Sequence, residues 1–320
     1  MPRRSLSPPP LLPLLALALL GAAIPSTASA QRGDRDSYAS WIDTTVAFAR
    51  GGSVDLSHVS GDIVVTTWDR DEVRVRAYAE HGRITPSFSR ARISLRIAAG
   101  PDERGRGNRR IGDSRYELTI PADARVKAAT VSGDVRVTGA RGEVEVGTVS
   151  GDIEVGDVGG LTTLTTVSGD VQVARVDGDL ALSTVSGDAS ARDVRGDVRA
   201  KTVSGELELR GIRARSVSAG STSGDVVFEG DFAAGGRYEF TSHSGDIHLL
   251  LPDDASAEFS VQTFSGGLET AFPVTLGGGA RRGARPRTLD FTLGKGGARV
   301  QVQTFSGDAV LEHAGRDGRR

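Results

Sequence analysis

Cysteine is absent from this sequence of 320 residues, and Met1 is its only methionine. The absence of cysteine excludes disulfide bridges, cysteine zinc sites, thiol nucleophiles and the attachment of a lipid to a cysteine after a signal peptide. The stability of the protein must therefore come from side-chain packing and backbone hydrogen bonding.

Aromatic residues and net charge are also scarce. Aromatic side chains make up 5% of the chain, and 41 acidic residues nearly balance 39 basic residues. This balance excludes a strongly basic nucleic-acid binder and a long acidic tail. Glycine, in contrast, is abundant at 42 residues. A turn residue about every eight positions, among many Val, Leu, Ile and Ala residues, indicates many short β-strands.

The N-terminal segment 1–30 has the pattern of a secretory signal peptide. Arg3 and Arg4 provide the positive start, residues 11–24 form an apolar run, and Ala-Ser-Ala at 28–30 suits a signal peptidase. As a helix, the apolar run would cover about 21 Å of a hydrocarbon core that is about 30 Å thick. We therefore expect cleavage after Ala30, export to the periplasm, the cell surface or the medium, and no transmembrane segment in the exported chain.

An internal repeat is the strongest signal in the sequence. Ser-Gly-Asp recurs at 132–134, 150–152, 168–170 and 186–188, and each step is 18 residues. A second glycine lies halfway between these motifs in a different context, Val-x-Gly-Asp, as at 176–179. After each glycine, apolar and polar residues alternate for a few positions, which is typical of a β-strand. Each repeat unit thus predicts two strands and two turns.

Two topologies could use such strands. In an antiparallel meander, the spacing from one glycine to the next would be the only period that the sequence needs. In a parallel solenoid, each strand stacks on the equivalent strand of the next repeat unit, so equivalent residues recur once per unit. Because the two glycine motifs differ, the sequence predicts an all-β parallel β-solenoid (β-helix) with coils of about 18 residues and two strands each, capped at both ends. Six mostly apolar columns are expected to form the core, and Val149 belongs to the first of them. In the third unit these columns hold Val167, Val171, Val173, Val176, Leu180 and Leu182.

The motif also occurs outside the regular units. Ser60-Gly61-Asp62 lies four periods before the first regular motif, and further copies begin at Ser223 with wider steps. The expected organisation begins with a signal peptide at 1–30 and a linker at 31–40. Residues 41–129 should form an N-terminal β cap and the first coils, with a charged loop near 101–113. Regular 18-residue coils at 130–219 are followed by longer irregular coils and a C-terminal cap at 220–312, and by a tail at 313–320.

Several motifs resemble those of a known bacterial family. They are the repeated Thr-Val-Ser-Gly-Asp-Val, the opening Val-Ser-Gly-Asp-Ile at 59–63, Thr-Trp-Asp-Arg-Asp at 67–71, Ile-Pro-Ala-Asp-Ala at 120–124 and Leu-Pro-Asp-Asp-Ala at 251–255. Over nearly the whole expected mature chain, the sequence is similar to an exported β-strand-repeat family labelled as adhesins and largely of unknown function. The resemblance implies a β-helical, envelope-associated protein without enzymatic activity. It supplies no catalytic or binding residues.

The candidate site in this sequence is a column of carboxylates, with one carboxylate in each coil. Asp134, Asp152, Asp170 and Asp188 would lie in a ladder with a rise of about 4.8 Å, which could hold divalent cations. The alternative is that each carboxylate accepts hydrogen bonds from N–H groups of its turn and faces water. The calcium-binding nonapeptide of toxin repeats has paired glycines and an Asp two residues after the later one. Here Asp follows glycine directly, which argues against calcium.

No catalytic or cofactor-binding residues stand out. None of the five histidines falls in the regular array, so its Ser and Thr columns lack the base that a nucleophile needs. Trp41 and Trp68 are the only tryptophans, and both lie in the expected N-terminal cap. We expect them to close the core, with a sugar-stacking platform as the alternative.

The residues favour a non-enzymatic structural or binding module of the cell envelope, adhesin-like and without cofactors. Its expected partner is an envelope polymer or another protein, and not nucleic acid. One alternative is a β-helical polysaccharide-active enzyme, although the regular coils carry no large insertion with clustered carboxylates. A second alternative is a self-assembling envelope scaffold, because the end of a β-stack is an edge that another copy can extend.

Overall fold

The computed structural model describes residues 40–80, 83–98, 114–276 and 287–315, so the expected signal peptide and the charged loop near 101–113 lie outside the described residues. All regular secondary structure in these ranges is β-strand, and none of it is a helix that could cross a membrane. The strands are β1 (Ser40–Ala47), β2 (Ser53–Ser57), β3 (Asp62–Trp68), β4 (Glu72–Ala79), β5 (Arg83–Phe88), β6 (Arg92–Ala98), β7 (Ser114–Pro121), β8 (Arg125–Ala129), β9 (Val135–Thr138), β10 (Val144–Ser150), β11 (Ile153–Val158), β12 (Thr162–Ser168), β13 (Val171–Val176), β14 (Leu180–Ser186), β15 (Ala189–Val194), β16 (Val198–Ser204), β17 (Leu207–Ile212), β18 (Ser216–Ser223), β19 (Val226–Gly230), β20 (Arg237–Ser244), β21 (Ile247–Leu251), β22 (Ala257–Ser265), β23 (Leu268–Thr270), β24 (Thr275–Leu276), β25 (Arg287–Leu293), β26 (Ala298–Ser306) and β27 (Ala309–His313).

The described strands form two sheets that enclose one core. Sheet A has 13 strands in the order β1-β4-β7-β3-β9-β11-β13-β15-β17-β19-β21-β27-β23. Sheet B has 14 strands in the order β24-β25-β22-β26-β20-β18-β16-β14-β12-β10-β8-β2-β6-β5. Between β8 and β21, successive strands alternate between the sheets, so each turn of the chain adds one strand to each sheet.

Neighbouring strands of the regular coils run parallel and are offset by one repeat unit. In sheet B, Leu164 pairs with Leu182, and in sheet A, Val173 pairs with Ala191. Each residue therefore lies over its counterpart in the next coil. The predicted parallel β-solenoid is confirmed, and the antiparallel meander is excluded for these coils.

Inward-pointing side chains fill the space between the sheets. In the third unit, five predicted core residues are at most 3% exposed: Val171, Val173, Val176, Leu180 and Leu182. Each aliphatic side chain buried in this way contributes about 1.5–3 kcal/mol. Because each coil shares this core with its neighbours, the stack gains stability by repetition and a single coil would not fold.

The first of the six predicted core columns is wrong. Val149 and Val167 are 45% and 44% exposed, whereas Thr148 and Thr166, one position earlier, are 5% and 1% exposed. The alternation of side chains along a strand explains the difference. Leu164 points inward, so Thr166, two positions later, must point inward as well. Each regular coil therefore buries a threonine and exposes a valine.

At both ends, the order of coils in the stack differs from their order in the chain. Strands β2 and β3 lie between β8–β9 and β6–β7, and strands β26 and β27 lie between β20–β21 and β22–β23. Ser60 thus pairs directly with Ser132. The long interval between these two serines is a detour of the chain through the N-terminal cap, and the two motifs lie in adjacent coils.

Antiparallel strands close the two ends of the stack. At the N-terminal end, β4 pairs with β1 and β7, and β5 pairs with β6; at the C-terminal end, β25 pairs with β22. Trp41 is 69% exposed, so the prediction that it closes the core is wrong. Trp68 is half-buried, and its indole N–H donates to the carbonyl oxygen of Glu72 at 2.7 Å.

Candidate functional site

The carboxylates of the Ser-Gly-Asp turns join successive coils. The backbone N–H of Asp170 donates to Oδ1 of Asp152 at 2.9 Å, and that of Asp188 donates to Oδ1 of Asp170 at 2.9 Å. The same bond joins Asp152 to Asp134. Each carboxylate thus accepts a hydrogen bond from the next turn and not from its own. Within the described ranges, no group of three or more His, Asp or Glu side chains is placed to hold a metal ion, and cation binding by the ladder stays a prediction.

Replacement of one ladder carboxylate tests this structural role. Asp170→Ala removes the acceptor of the Asp188 N–H, and we expect the free energy of unfolding to fall by about 1 kcal/mol. Asp170→Asn keeps an amide oxygen in place and should cause a clearly smaller loss. Equilibrium unfolding in urea measures both changes. Equal losses in the two variants would show that the hydrogen bond is not what the carboxylate contributes.

A groove lies on the outer face of sheet B towards the C-terminal end of the stack. Four neighbouring strands, β20, β26, β22 and β25, each contribute three consecutive residues to it. Its volume is about 570 Å³, within the range of about 300–1,000 Å³ that is usual for small-molecule sites. The lining residues are 237–239, 258–260, 290–292 and 299–301.

Charged and amide side chains form the walls of this groove. The groove arginines, Arg237 and Arg299, are paired in register on adjacent strands. The groove carboxylates belong to Glu239, Glu258 and Asp290, and Gln301 and Ser260 lie in the same outward row as Glu239 and Asp290. In the part of the chain that the structure describes, none of these charged groups forms an ion pair. Their donors and acceptors are therefore available to a ligand.

Buried aromatic side chains hold the four groove strands in place. Phe259 and Phe291 stack with ring centroids 4.9 Å apart. The hydroxyl of Tyr238 donates to the carbonyl oxygen of Ala214 at 2.7 Å and accepts from the N–H of Ala233 at 2.7 Å. Burial raises the pKa of Tyr238, so this hydroxyl stays neutral at ordinary pH. The base of the groove is therefore a packed apolar layer that fixes the positions of the four strands.

Three exposed aromatic rings stack at the far end of three groove strands. His243 and Phe305 have ring centroids 4.8 Å apart, and Phe264 stacks on Phe305 at 4.6 Å. All three side chains are exposed on the outer face of sheet B. Each directly precedes a Ser-Gly pair, at the position that valine occupies in the regular coils. The aromatic stack is thus the C-terminal continuation of the exposed valine column.

Comparison with known families shows what kind of protein carries this groove. The family model described as Toastrack DUF4097 matches residues 53–312. The chain belongs to the Toastrack DUF4097 family. The resemblance to an adhesin-like β-repeat family of unknown function is thereby confirmed, and the two long sheets of parallel strands are a Toastrack β-solenoid.

Two solved structures are similar to this Toastrack chain at low identity. A candidate cell adhesion protein from Clostridium sporogenes is 10% identical, with 86% of this chain and 100% of that chain covered and a TM-score of 0.25. A candidate adhesin from Bacteroides fragilis is 13% identical, with 86% of this chain and 97% of that chain covered and a TM-score of 0.42. No curated protein matches the Toastrack chain.

The sequence of the Toastrack chain did not reveal its groove. The groove residues fall between positions 237 and 301, in the region expected to hold longer, irregular coils. Only the insertion of β26 between β20 and β22 brings the two arginines together. A usable signal was the alternation at Arg237, Glu239, Thr241 and His243, which marks one outward face of a strand.

Proposed function

We propose that this Toastrack protein is an exported, non-enzymatic binding module of the cell envelope, and that the groove on sheet B holds a neutral polysaccharide. One observation carries the proposal: two arginines, three carboxylates and an amide line a single groove over a packed apolar base, and none of the charged groups is paired with another described residue. Such a groove lies open along the sheet, as an extended polymer requires.

The hydrogen-bonding groups of the walls favour a sugar polymer. The groove arginines and Gln301 donate to hydroxyl and ring oxygens, while the groove carboxylates accept from hydroxyl groups. A sugar hydroxyl both donates and accepts, so a glycan can satisfy the two kinds of wall at once. Three carboxylates against two arginines leave the groove slightly negative, which disfavours a polyanionic ligand.

Calorimetric titration with neutral hexose oligosaccharides tests this function. We expect saturable binding by the wild-type protein and at least about tenfold weaker binding by the double variant Arg237→Ala/Arg299→Ala. Each hydrogen bond from a charged donor contributes about 1.5–3 kcal/mol, and about 1.4 kcal/mol corresponds to a factor of ten. Arg199→Ala is the matched control, because Arg199 is exposed on the same sheet, in β16, outside the groove. Its affinity should equal that of the wild type.

Further ligands and products separate this function from its alternatives. Oligouronates of the same length should bind more weakly than the neutral sugars. Unchanged affinity in the double arginine variant, or no binding of any neutral glycan, would contradict the proposal. Release of shortened oligosaccharides in the same mixtures would support the β-helical enzyme instead and contradict a purely binding role.

A further inference from the structure

An exposed and mostly apolar column runs along ten coils of the stack, with one side chain per coil. We call it the outer stripe. In stack order it consists of Val59, Val131, Val149, Val167, Val185, Val203, Thr222, His243, Phe305 and Phe264. The six valines are 42–48% exposed, and the two phenylalanines are 47% and 41% exposed. Contiguous apolar surface of this kind on a folded protein marks a contact site.

The inward-pointing residues next to the stripe show that exposing valine at these positions is unfavourable for the stability of the fold. Thr130, Thr148, Thr166 and Thr184 are buried, and none of their Oγ1 atoms has a hydrogen-bond partner. A buried hydroxyl without a partner destabilises the fold, and so does a valine left in water. Fold stability alone would favour the opposite arrangement in these four coils. The repeated choice indicates that the stripe is kept apolar for a contact outside the chain.

The surface on the N-terminal side of the stripe is almost free of charge, whereas on the other side the turn carboxylates, such as Asp152 and Asp170, follow three positions after the stripe. The residue after each stripe position is serine. Two positions before the stripe, only Lys201 is charged among Ser57, Ala129, Gly147, Thr165, Ser183, Lys201, Gly220, Thr241, Gln303 and Gln262. Farther from the stripe, both sheets carry ion pairs on their outer faces, such as Lys127 with Glu145 in sheet B and Arg136 with Glu154 in sheet A. Depletion of charge is the compositional mark of an interface core.

The size of this neutral band suits a specific protein interface. Ten coils at about 4.8 Å make the stripe about 43 Å long, and the band with its flanking columns is about 15 Å wide. Such a band would cover about 650 Å² per copy, or about 1,300 Å² for two copies. This total lies within the range of about 1,200–2,000 Å² that stable complexes bury.

We infer that two copies of this chain pair side by side through the outer stripe, about a two-fold axis. A second copy of the chain has side chains that repeat with the same rise of about 4.8 Å. The side chains of its stripe would therefore meet those of the first copy at equal spacing. The formal net charge of −2 produces little repulsion between copies.

The order of residues in the stripe also fits a two-fold axis. With the axis between Val185 and Val203, the aromatic end of each stripe lies against the valine end, from Val59 to Val149, of the other copy. Large rings then pack on the smaller valines, and no large side chain faces another. The pairing is lateral and independent of the groove, whose two outward rows lie about 13 Å and about 20 Å along the strands from the aromatic stack.

Molecular mass in solution tests the pairing. By light scattering and sedimentation equilibrium at micromolar concentration, we expect a dimer for the wild-type protein and a monomer for Val185→Lys/Val203→Lys, because four charges would meet at the axis. Leu161→Lys is the matched control: Leu161 is 48% exposed but follows the opposite turn of its coil. It should stay dimeric. A monomeric wild type, filaments, or a dimer lost only in Leu161→Lys would overturn the inference.

Further variants keep the test decisive if the lysine variant folds poorly. The chain has no cysteine, so oxidation of an equal mixture of Val185→Cys and Val203→Cys chains should give a cross-linked dimer, because these positions face each other across the axis, and Leu161→Cys should not. Equal cross-linking by both would contradict a defined axis. Thr184→Val should raise the melting temperature without changing the mass, because it removes a buried hydroxyl that has no partner. A lower melting temperature would remove the argument that the inward threonine is unfavourable.

Discussion

Gly169→Ala is expected to lower the free energy of unfolding by about 3–5 kcal/mol, although it adds only one methyl group. Gly169 has a φ of +142°, and a Cβ atom there would lie 2.1 Å from the carbonyl oxygen of Gly151 in the neighbouring coil. This backbone cannot move away without breaking the bond from the N–H of Gly169 to the oxygen of Ser186, or that from Gly151 to Ser168. The variant therefore combines backbone strain with lost hydrogen bonds between coils.

Gly147→Ala is the matched control for this prediction. Gly147 lies in β10, and a Cβ atom there would meet nothing within 4 Å. The substitution should leave stability unchanged or raise it by up to about 1 kcal/mol, because it restricts the unfolded chain. Urea unfolding and thermal melting of both variants provide the comparison. Equal stability of Gly169→Ala and Gly147→Ala would mean that the coils do not stack as closely as described.

Acidification from about pH 6.5 to pH 4 is expected to remove about 3 kcal/mol of stability through one side chain, that of His58. Burial lowers the pKa of His58 to about 4, and the carboxylate of Asp62 opposes this shift only weakly. The imidazole is 3% exposed and packs edge-on against Tyr116 at a centroid distance of 4.6 Å. In the described structure, neither ring nitrogen has a hydrogen-bond partner. A proton on this ring would thus be a buried charge without compensation.

The sign of the pH effect follows from the lowered pKa. Above about pH 6.5, His58 is neutral in both the folded and the unfolded chain, and stability is at its full value. Between that pH and about 4, only the unfolded chain binds the proton, so stability falls as the pH decreases. Below about 4, both states are protonated and this contribution becomes constant.

His58→Leu separates this effect from the titration of carboxylates. Asp43 and Asp157 have lowered pKa values because of hydrogen bonds from Arg74 and Arg175 respectively. Their stabilisation is lost only as the pH falls below the ordinary carboxyl range near 4, outside the histidine window. The pKa of the Glu208 carboxyl is also lowered, because the effect of its burial is outweighed by hydrogen bonds from Arg210 and Arg192. The comparison is therefore made between about pH 5.5 and pH 7, where urea unfolding should show a flat profile for His58→Leu. A slope as steep as that of the wild type would place the titrating group elsewhere.

The regular part of the fold was predictable because its information is local and repeated. The two glycine motifs alternate with a common period, and only a winding chain places each motif over its own copies. The alternation in Val171–Val173 and Leu180–Leu182 fixed the inward columns without knowledge of any distant contact.

The remaining features depend on contacts that local patterns do not encode. Threonine and valine have similar shapes, so the sequence around Thr166 and Val167 does not show by itself which of them points inward. The acceptor role of Asp152 requires the neighbouring turn to be in place. The order of coils at the ends requires β26 to enter between two strands formed earlier in the chain, and the groove arises from that order.

NMR mapping of backbone amides during titration with a neutral hexose oligosaccharide tests the proposed binding site most directly. The groove predicts saturable chemical-shift changes at 237–239, 258–260, 290–292 and 299–301, with the outer stripe and the aspartate turns of the regular coils unaffected. Changes confined to the turns at Asp134, Asp152, Asp170 and Asp188, or to the stripe valines, would place the ligand elsewhere and contradict the groove as the site of function.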